Sequence, residues 1–163
     1  MESTVRIIVT PSSTRLPPET KDSVVVSGSH AAIFTVYLSA RAGARAAIQH
    51  DAGIGLDQAG VSGLAWAEKL GMAVAAVAAN SARIGDGDDM MRRGVLSRVN
   101  GIAAACGVKA GMTCRDAADR LREGVVELRW PHHVWTQSFE TFSPTSQLVV
   151  VPDAAPEQAP AAP

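Results

Sequence analysis

Three short segments combine glycine with side chains that bind anions or transfer protons. They read "SGSH" at 27–30, "HDAGIG" at 50–55 and "NSARIGDGDD" at 80–89. Each follows an apolar run typical of a buried strand. Imidazole and carboxylate groups serve acid/base catalysis, whereas guanidinium and main-chain amide groups bind carboxylates and phosphates. The three segments together predict a site for a small molecule that carries a carboxylate or a phosphate.

The candidates for acid/base chemistry are His30, Asp51 and Asp86. His30 is expected at the start of a helix, where the helix dipole favours the neutral imidazole that a general base needs. Asp51 follows a strand and suits a general base, a metal ligand or a partner that orients His30, although an Asx turn is the structural alternative. Asp88 or Asp89 is expected to cap the next helix, which leaves Asp86 without an obvious structural role.

Arg83 is the strongest candidate for binding the anion. It stands between small residues after a buried strand, and its planar guanidinium group can hold a carboxylate or phosphate through two hydrogen bonds. The structural alternative is a clamp on Asp86 or Asp51 that only fixes the loops. Ser81 is expected to donate to the same anion or to act as a nucleophile.

Main-chain amides near Gly28 and Gly85 are expected to assist Arg83. Ser29 is either part of this anion cradle or the N-cap of the helix that follows. The segment lacks the Gly-Lys-Ser/Thr ending of a P-loop and the G-x-G-x-x-G spacing of a dinucleotide fingerprint, so no nucleotide cofactor is predicted.

Metal sites are weakly indicated. Asp51, Asp86 and Asp88 offer the oxygen ligands that Mg²⁺ prefers, but the adjacent arginine already supplies a countercharge, and we predict no resident metal or cofactor. Cys106 and Cys114 form neither a metal-binding spacing nor a disulfide framework and are expected to be small buried residues.

The elements that position these residues alternate along the chain. Strands are predicted at 5–10, 23–26, 45–50 and 72–79, and helices at 31–40, 57–70, 90–106 and 113–123. Asp57 is expected to cap the second helix, and Thr113 with Asp116 to cap the last. This alternation predicts a small three-layer α/β domain with a mostly parallel sheet and helices on both faces. The three segments would then meet at the carboxyl edge of the sheet, where a reversal of strand order opens a crevice.

The overall composition narrows the functional classes. The chain has 163 residues and a net charge of −1, which argues against broad binding to nucleic acid. No apolar run approaches the length of about 20 residues that a membrane span needs, so a soluble, cytoplasmic protein is expected. One α/β domain is predicted over residues 1–128.

The C-terminal region has a different composition. Residues 129–151 contain Trp130, Trp135, Phe139 and Phe142 and are predicted to form an arm that packs on the domain or on a second subunit. Residues 152–163 consist largely of alanine and proline and are predicted to be disordered. The arm and the alanine-rich helices favour a homo-oligomer.

The leading hypothesis is an enzyme of the hydrolase or lyase type. Its rival is a non-catalytic module that binds a small anion or contributes to a larger assembly. A third possibility is a structural protein in which the three segments are only well-capped turns.

Overall fold

Residues 5–124 are described by the computed structural model, and they form a five-stranded sheet with helices on both faces. The strands are β1 (Ile7–Thr10), β2 (Val24–His30), β3 (Ala46–His50), β4 (Ala73–Val77) and β5 (Leu96–Val99). The helices are α1 (Ile33–Arg41), α2 (Ser62–Lys69), α3 (Gly87–Arg93), α4 (Gly101–Ala105) and α5 (Cys114–Gly124). The strand order is β1-β2-β3-β4-β5, in which β1 to β4 are parallel and β5 is antiparallel to β4. The predicted α/β architecture is therefore confirmed.

Side-chain alternation along β3 shows how the two faces are covered. Ile48 belongs to a hydrophobic core that includes Met90 of α3 and Leu121 of α5. The next residue, Gln49, points to the opposite face, where its Nε2 donates to the Thr35 carbonyl of α1 at 3.0 Å. Helices α1 and α2 pack against each other on that second face. The central strands β3 and β4 are buried on both sides, as expected for a parallel sheet.

The predicted helix at 90–106 is wrong. Helix α3 ends at Gly94, strand β5 pairs with β4, and α4 begins only at Gly101. The chain turns closely at Gly94, where an added Cβ would meet the Met90 carbonyl oxygen and the Val77 side chain. Leu96 and Val99 thus belong to β5, whereas Ile102 and Ala103 belong to α4.

Two predicted boundaries also need correction. The segment "SGSH" is not a loop, because strand β2 extends through it to His30. Helix α1 begins after Ala32, which makes no side-chain capping bond, so Ser29 is not an N-cap. Likewise Asp57 does not cap α2. It lies in a 3-10 segment, Leu56–Val61, with a φ of +53°.

Two capping interactions fix the end of the described domain. Asp116 N donates to Thr113 Oγ1 at 3.1 Å, which confirms the predicted cap of α5. Asn100 is the buried N-cap of α4, and its side chain accepts from Ala103 N. No helix within residues 5–124 is long and apolar enough to cross a membrane. The predicted arm at 129–151 and tail at 152–163 lie outside the described residues.

A candidate binding cleft at the carboxyl edge of the sheet

The segment between β4 and α3, residues 78–86, crosses the carboxyl edge of the sheet. It contacts β3 where His50 Nε2 lies 2.8 Å from the Ala82 carbonyl oxygen. It contacts β2 where Gly85 N donates to the Gly28 carbonyl oxygen at 2.7 Å. The three glycine-containing segments of the sequence therefore meet at one edge, as a parallel sheet requires.

An open cleft of about 350 Å³ lies beside this segment. Its lining comes from the end of β3, the segment after β4 and the end of α3, and consists of His50, Ala52, Ala79, Asn80, Ala82, Arg83, Ile84 and Arg93. A volume of this size falls at the lower end of the range for small-molecule sites.

The position of the cleft follows from the directions in which the chain leaves the sheet. After β3 the chain passes to α2 on one face, whereas after β4 it passes to α3 on the other. Such divergence between neighbouring strands opens a crevice at the carboxyl edge of an α/β sheet. The strand order, which the sequence does not predict, follows chain order, so the described sheet has no reversal of strand order. The change of face before the antiparallel β5 takes its place.

His50 lines the cleft, although it is not among the site residues predicted from the sequence. Its side chain is buried, and both ring nitrogens have main-chain partners. Ala52 N donates to Nδ1 at 3.0 Å, which leaves the ring proton on Nε2, where the Ala82 carbonyl oxygen accepts it. Neutral His50 thus ties β3 to residues 78–86. Its position as the last residue of a buried strand is the sequence signal for this role.

Asp51 is buried and its carboxylate holds three elements together. Oδ1 accepts from Gly53 N at 2.8 Å and from Ala79 N at 2.9 Å, and Oδ2 accepts from Ser97 Oγ at 2.7 Å. The bond to Gly53 is the Asx turn that the sequence offered as an alternative. With both oxygens occupied, Asp51 positions the wall of the cleft.

Asp89 is the centre of an arginine cluster. Its side chain is only 4% exposed, and Arg93 binds it through Nε and Nη2, each within about 3 Å. Arg92 adds a contact of 3.3 Å, and the main-chain N of Arg83 donates at 2.9 Å. The hydrogen bond from Arg93, followed by that from Arg83 N, holds the pKa of the Asp89 carboxyl well below its usual range. Reciprocally, Asp89 raises the pKa of Arg93.

Arg83 extends from this cluster into solvent at the lip of the cleft. Its side chain is 71% exposed, and Nη1 lies 3.9 Å from Asp89 Oδ1, beyond hydrogen-bond distance. The guanidinium group makes no hydrogen bond within residues 5–124. The alternative of a clamp on Asp86 or Asp51 is not seen, because the contact is with Asp89 and the fixed part is the main chain of Arg83.

Two of the predicted anion-binding hydroxyls have partners within the protein. Ser81 Oγ donates to the Ala78 carbonyl oxygen at 2.8 Å and accepts from Val95 N at 2.9 Å. Ser29 Oγ accepts from Ser13 N at 2.9 Å. Both hydroxyls therefore join neighbouring segments.

The remaining candidates differ in how much of their bonding capacity is left. Gly85 N is used by Gly28, and Gly28 is buried where any Cβ would strike Gly85 and Asp86. Asp86, rather than Asp88 or Asp89, is the N-cap of α3, since its Oδ1 accepts from Asp89 N at 2.8 Å. His30 ends strand β2 instead of starting a helix, and it pairs in register with His50. It is exposed, and its imidazole makes no hydrogen bond to any residue between 5 and 124.

Among residues 5–124, no group of three His, Cys, Asp or Glu side chains is arranged to hold a metal ion. Asp51, Asp86 and Asp88, the possible Mg²⁺ ligands in the sequence, do not form such a group. Comparison of the chain with protein-family models, with curated proteins and with solved structures finds no match.

Proposed function

We propose that this protein binds a small molecule with a carboxylate or phosphate group in the cleft between β3 and β4. The observation that carries the proposal is the state of Arg83. Its main chain is fixed by a buried carboxylate, while its guanidinium group is exposed beside a cleft and makes no hydrogen bond within the described part of the chain. Such a group is oriented for a ligand and is available to it.

The polar groups that face the cleft favour an anion over a cation. Both nitrogens of His50 are satisfied by the main chain. Arg83, Arg93 and the exposed Asn80 contribute N–H donors to the lining, and none of the lining residues between 5 and 124 carries a carboxylate. A ligand rich in hydrogen-bond acceptors complements such a surface.

An enzyme of the hydrolase or lyase type is the second candidate, and His30 is the observation that favours it. Its imidazole is exposed at the same edge of the sheet as the cleft and makes no hydrogen bond to the described residues. Asp51, by contrast, has both carboxylate oxygens occupied, and Asp86 uses Oδ1 to cap α3. We propose His30 as the general base if the bound anion is a substrate.

The proposal needs neither a metal nor an organic cofactor. Mg²⁺ bound by Asp51, Asp86 and Asp88 is a low-priority alternative, because Asp51 already accepts three hydrogen bonds and Asp86 caps α3. Self-association and a cytoplasmic location stay predictions from the sequence, as does the absence of nucleic-acid binding.

A thermal-shift panel tests anion binding. Short carboxylates, sugar phosphates, Mg²⁺ and EDTA are added to the full chain and to Arg83→Gln, with Arg41→Gln as a matched control. Arg41 is an exposed arginine at the end of α1. A ligand at about 100 times its Kd adds about 2.7 kcal/mol of stability. We expect one anion class to raise the Tm of the parent and of Arg41→Gln, and to act at least tenfold more weakly on Arg83→Gln.

The role of His30 is tested on whichever anion binds. Product formation is followed by NMR with the parent and with His30→Gln. Loss of turnover in the variant with binding retained within about tenfold supports a catalytic His30. If the parent protein binds the ligand but does not convert it, the function is binding without catalysis.

A further inference from the structure

We propose that the cleft selects a small organic monocarboxylate with an apolar body over phosphates and inorganic anions. This inference rests on the proposed anion site and names the class of ligand for it. Three features of the described residues carry it: the number of available charges, the character of the lining, and the volume of the cleft.

The number of available charges favours a single negative charge on the ligand. Arg93 uses its Nε and Nη2 on Asp89, and Arg92 also contacts that carboxylate. Arg83 is then the arginine whose whole guanidinium group can turn to a ligand. One planar guanidinium group matches one carboxylate through two parallel hydrogen bonds.

Neighbouring carboxylates oppose a second charge on the ligand. Asp86 caps α3 and Asp88 lies in its first turn, three and five residues after Arg83 in the chain, and Asp88 is exposed. These carboxylates would repel a doubly charged phosphate beside Arg83 more strongly than a monocarboxylate.

Half of the residues that line the cleft are apolar. They are Ala52, Ala79, Ala82 and Ile84, and Ile84 is 55% exposed. A large aliphatic side chain gains free energy when a ligand removes it from water, at about 25 cal/mol per Å². These residues predict an apolar group attached to the anionic head.

The volume of the cleft leaves space for such a group. A cleft of about 350 Å³ holds about a dozen water molecules at about 30 Å³ each. An inorganic anion fills only a small part of that space, and its binding would leave the surface of Ile84 in water. A carboxylate with a body of several carbon atoms covers Arg83 and Ile84 together.

The test is an NMR titration of the isotope-labelled full chain at constant ionic strength. The probes are acetate, butyrate, hexanoate, benzoate and inorganic phosphate, with hexanol as the uncharged counterpart of hexanoate. We expect affinity to rise about threefold to fourfold for each added methylene group. We also expect hexanoate to bind at least tenfold more tightly than phosphate or hexanol, and to shift the amide signals of Ala52 and Ile84.

Two variants separate the apolar contact from the charge. Ile84→Ser should flatten the rise in affinity from acetate to hexanoate. Leu56→Ser is the matched control, because Leu56 is 85% exposed but does not line the cleft. Leu56→Ser should retain the full rise in affinity from acetate to hexanoate.

The failure of this inference differs from the failure of the proposed function. If phosphate binds as tightly as hexanoate, or Ile84→Ser keeps the full rise, the monocarboxylate inference is overturned while the anion site stands. If none of the anions binds, the proposed function is overturned and this inference with it.

Discussion

Asp51 accepts a hydrogen bond from the hydroxyl of Ser97, with 2.7 Å between Asp51 Oδ2 and Ser97 Oγ. The two residues are 46 positions apart in the chain, and the bond links the end of β3 to β5, across the intervening β4. The other carboxylate oxygen holds Ala79 N, the first part of the segment that walls the cleft. One buried carboxylate thus determines where three parts of the site lie.

Replacement of Asp51 should destabilise the fold more than it changes chemistry. Asp51→Ala leaves three donors without their acceptor, and we expect a loss of about 2–4 kcal/mol in the free energy of unfolding. Asp51→Asn keeps one acceptor oxygen and should lose about 1 kcal/mol. Urea denaturation of the two variants and the parent measures both values.

Ser97→Ala provides the control for this interpretation, since it removes only one of the three donors. Its loss should be smaller than that of Asp51→Ala. If Asp51→Ala is as stable as the parent, the structural role is contradicted, and Asp51 is again a candidate for acid/base chemistry.

Gly28→Ala should displace the segment that lines the cleft. The added Cβ would lie 2.6 Å from the Pro11 carbonyl oxygen and would also strike the main chain of Gly85 and Asp86. Overpacking of this kind costs about 1–3 kcal/mol, and relief of the clash would push residues 82–86 away from β2. We therefore expect a lower Tm and weaker anion binding, measured by thermal shift with and without ligand.

The matched substitution is Gly101→Ala. Its Cβ meets the end of the flexible Glu68 side chain instead of a main chain. We expect a change within about 1 kcal/mol and unchanged ligand binding. Equal effects of the two substitutions would show that the close approach at Gly28 does not position the segment.

The fold was predictable where a local pattern and a tertiary contact favour the same structure. Strand β4 is a continuous apolar run, and its burial on both faces agrees with that pattern. Strand β5 was missed because its four residues form a strand through pairing with β4, a contact that no local window contains. Apolar residues on both sides of β5 happened to continue a helical spacing.

The site was predictable to the level of its loops but not of its individual bonds. Arg83 lies at the lip of the cleft, where the sequence placed an anion-binding group. Arg93 was missed because its role depends on α3 ending beside residues 78–86. Asp86 caps the helix and Asp89 binds the arginines because α3 begins at Gly87. The sequence does not determine that starting point, since any of several neighbouring aspartates could cap a helix.

The two thiols should react at very different rates. Cys114 is buried, and burial raises the pKa of its thiol to about 12, so at pH 8 only about one molecule in ten thousand carries the reactive thiolate. Cys106 is partly exposed. Titration of the native protein with an aromatic disulfide reagent at pH 8, with mass spectrometry to assign the label, should modify Cys106 first and Cys114 only after unfolding. Rapid labelling of both thiols in the native state would contradict the packing of α5.

Asp89 should make the stability of the protein depend on acid pH. Its pKa is lower in the folded state than in the unfolded chain, so it stabilises the fold at pH values above its unfolded pKa of about 4. That contribution is lost as the pH falls toward the folded pKa and the carboxylate is protonated. Asp89→Asn lacks the charge at every pH. We therefore expect the variant to be clearly less stable than the parent at pH 7, and the difference to shrink steadily between pH 4 and pH 2.

The control is Asp88→Asn, which removes an exposed carboxylate from the same helical turn. The difference in stability between Asp88→Asn and the parent should be small at both ends of the pH range. The reason is that the Asp88 side chain accepts no hydrogen bond from Arg83, Arg92 or Arg93. Asp89→Asn should also weaken anion binding at pH 7, since the main chain of Arg83 and the guanidinium group of Arg93 lose their common anchor. A stability difference between the parent and Asp89→Asn that stays constant from pH 7 to pH 2 would show that the carboxylate is not held in its charged form by the arginine cluster.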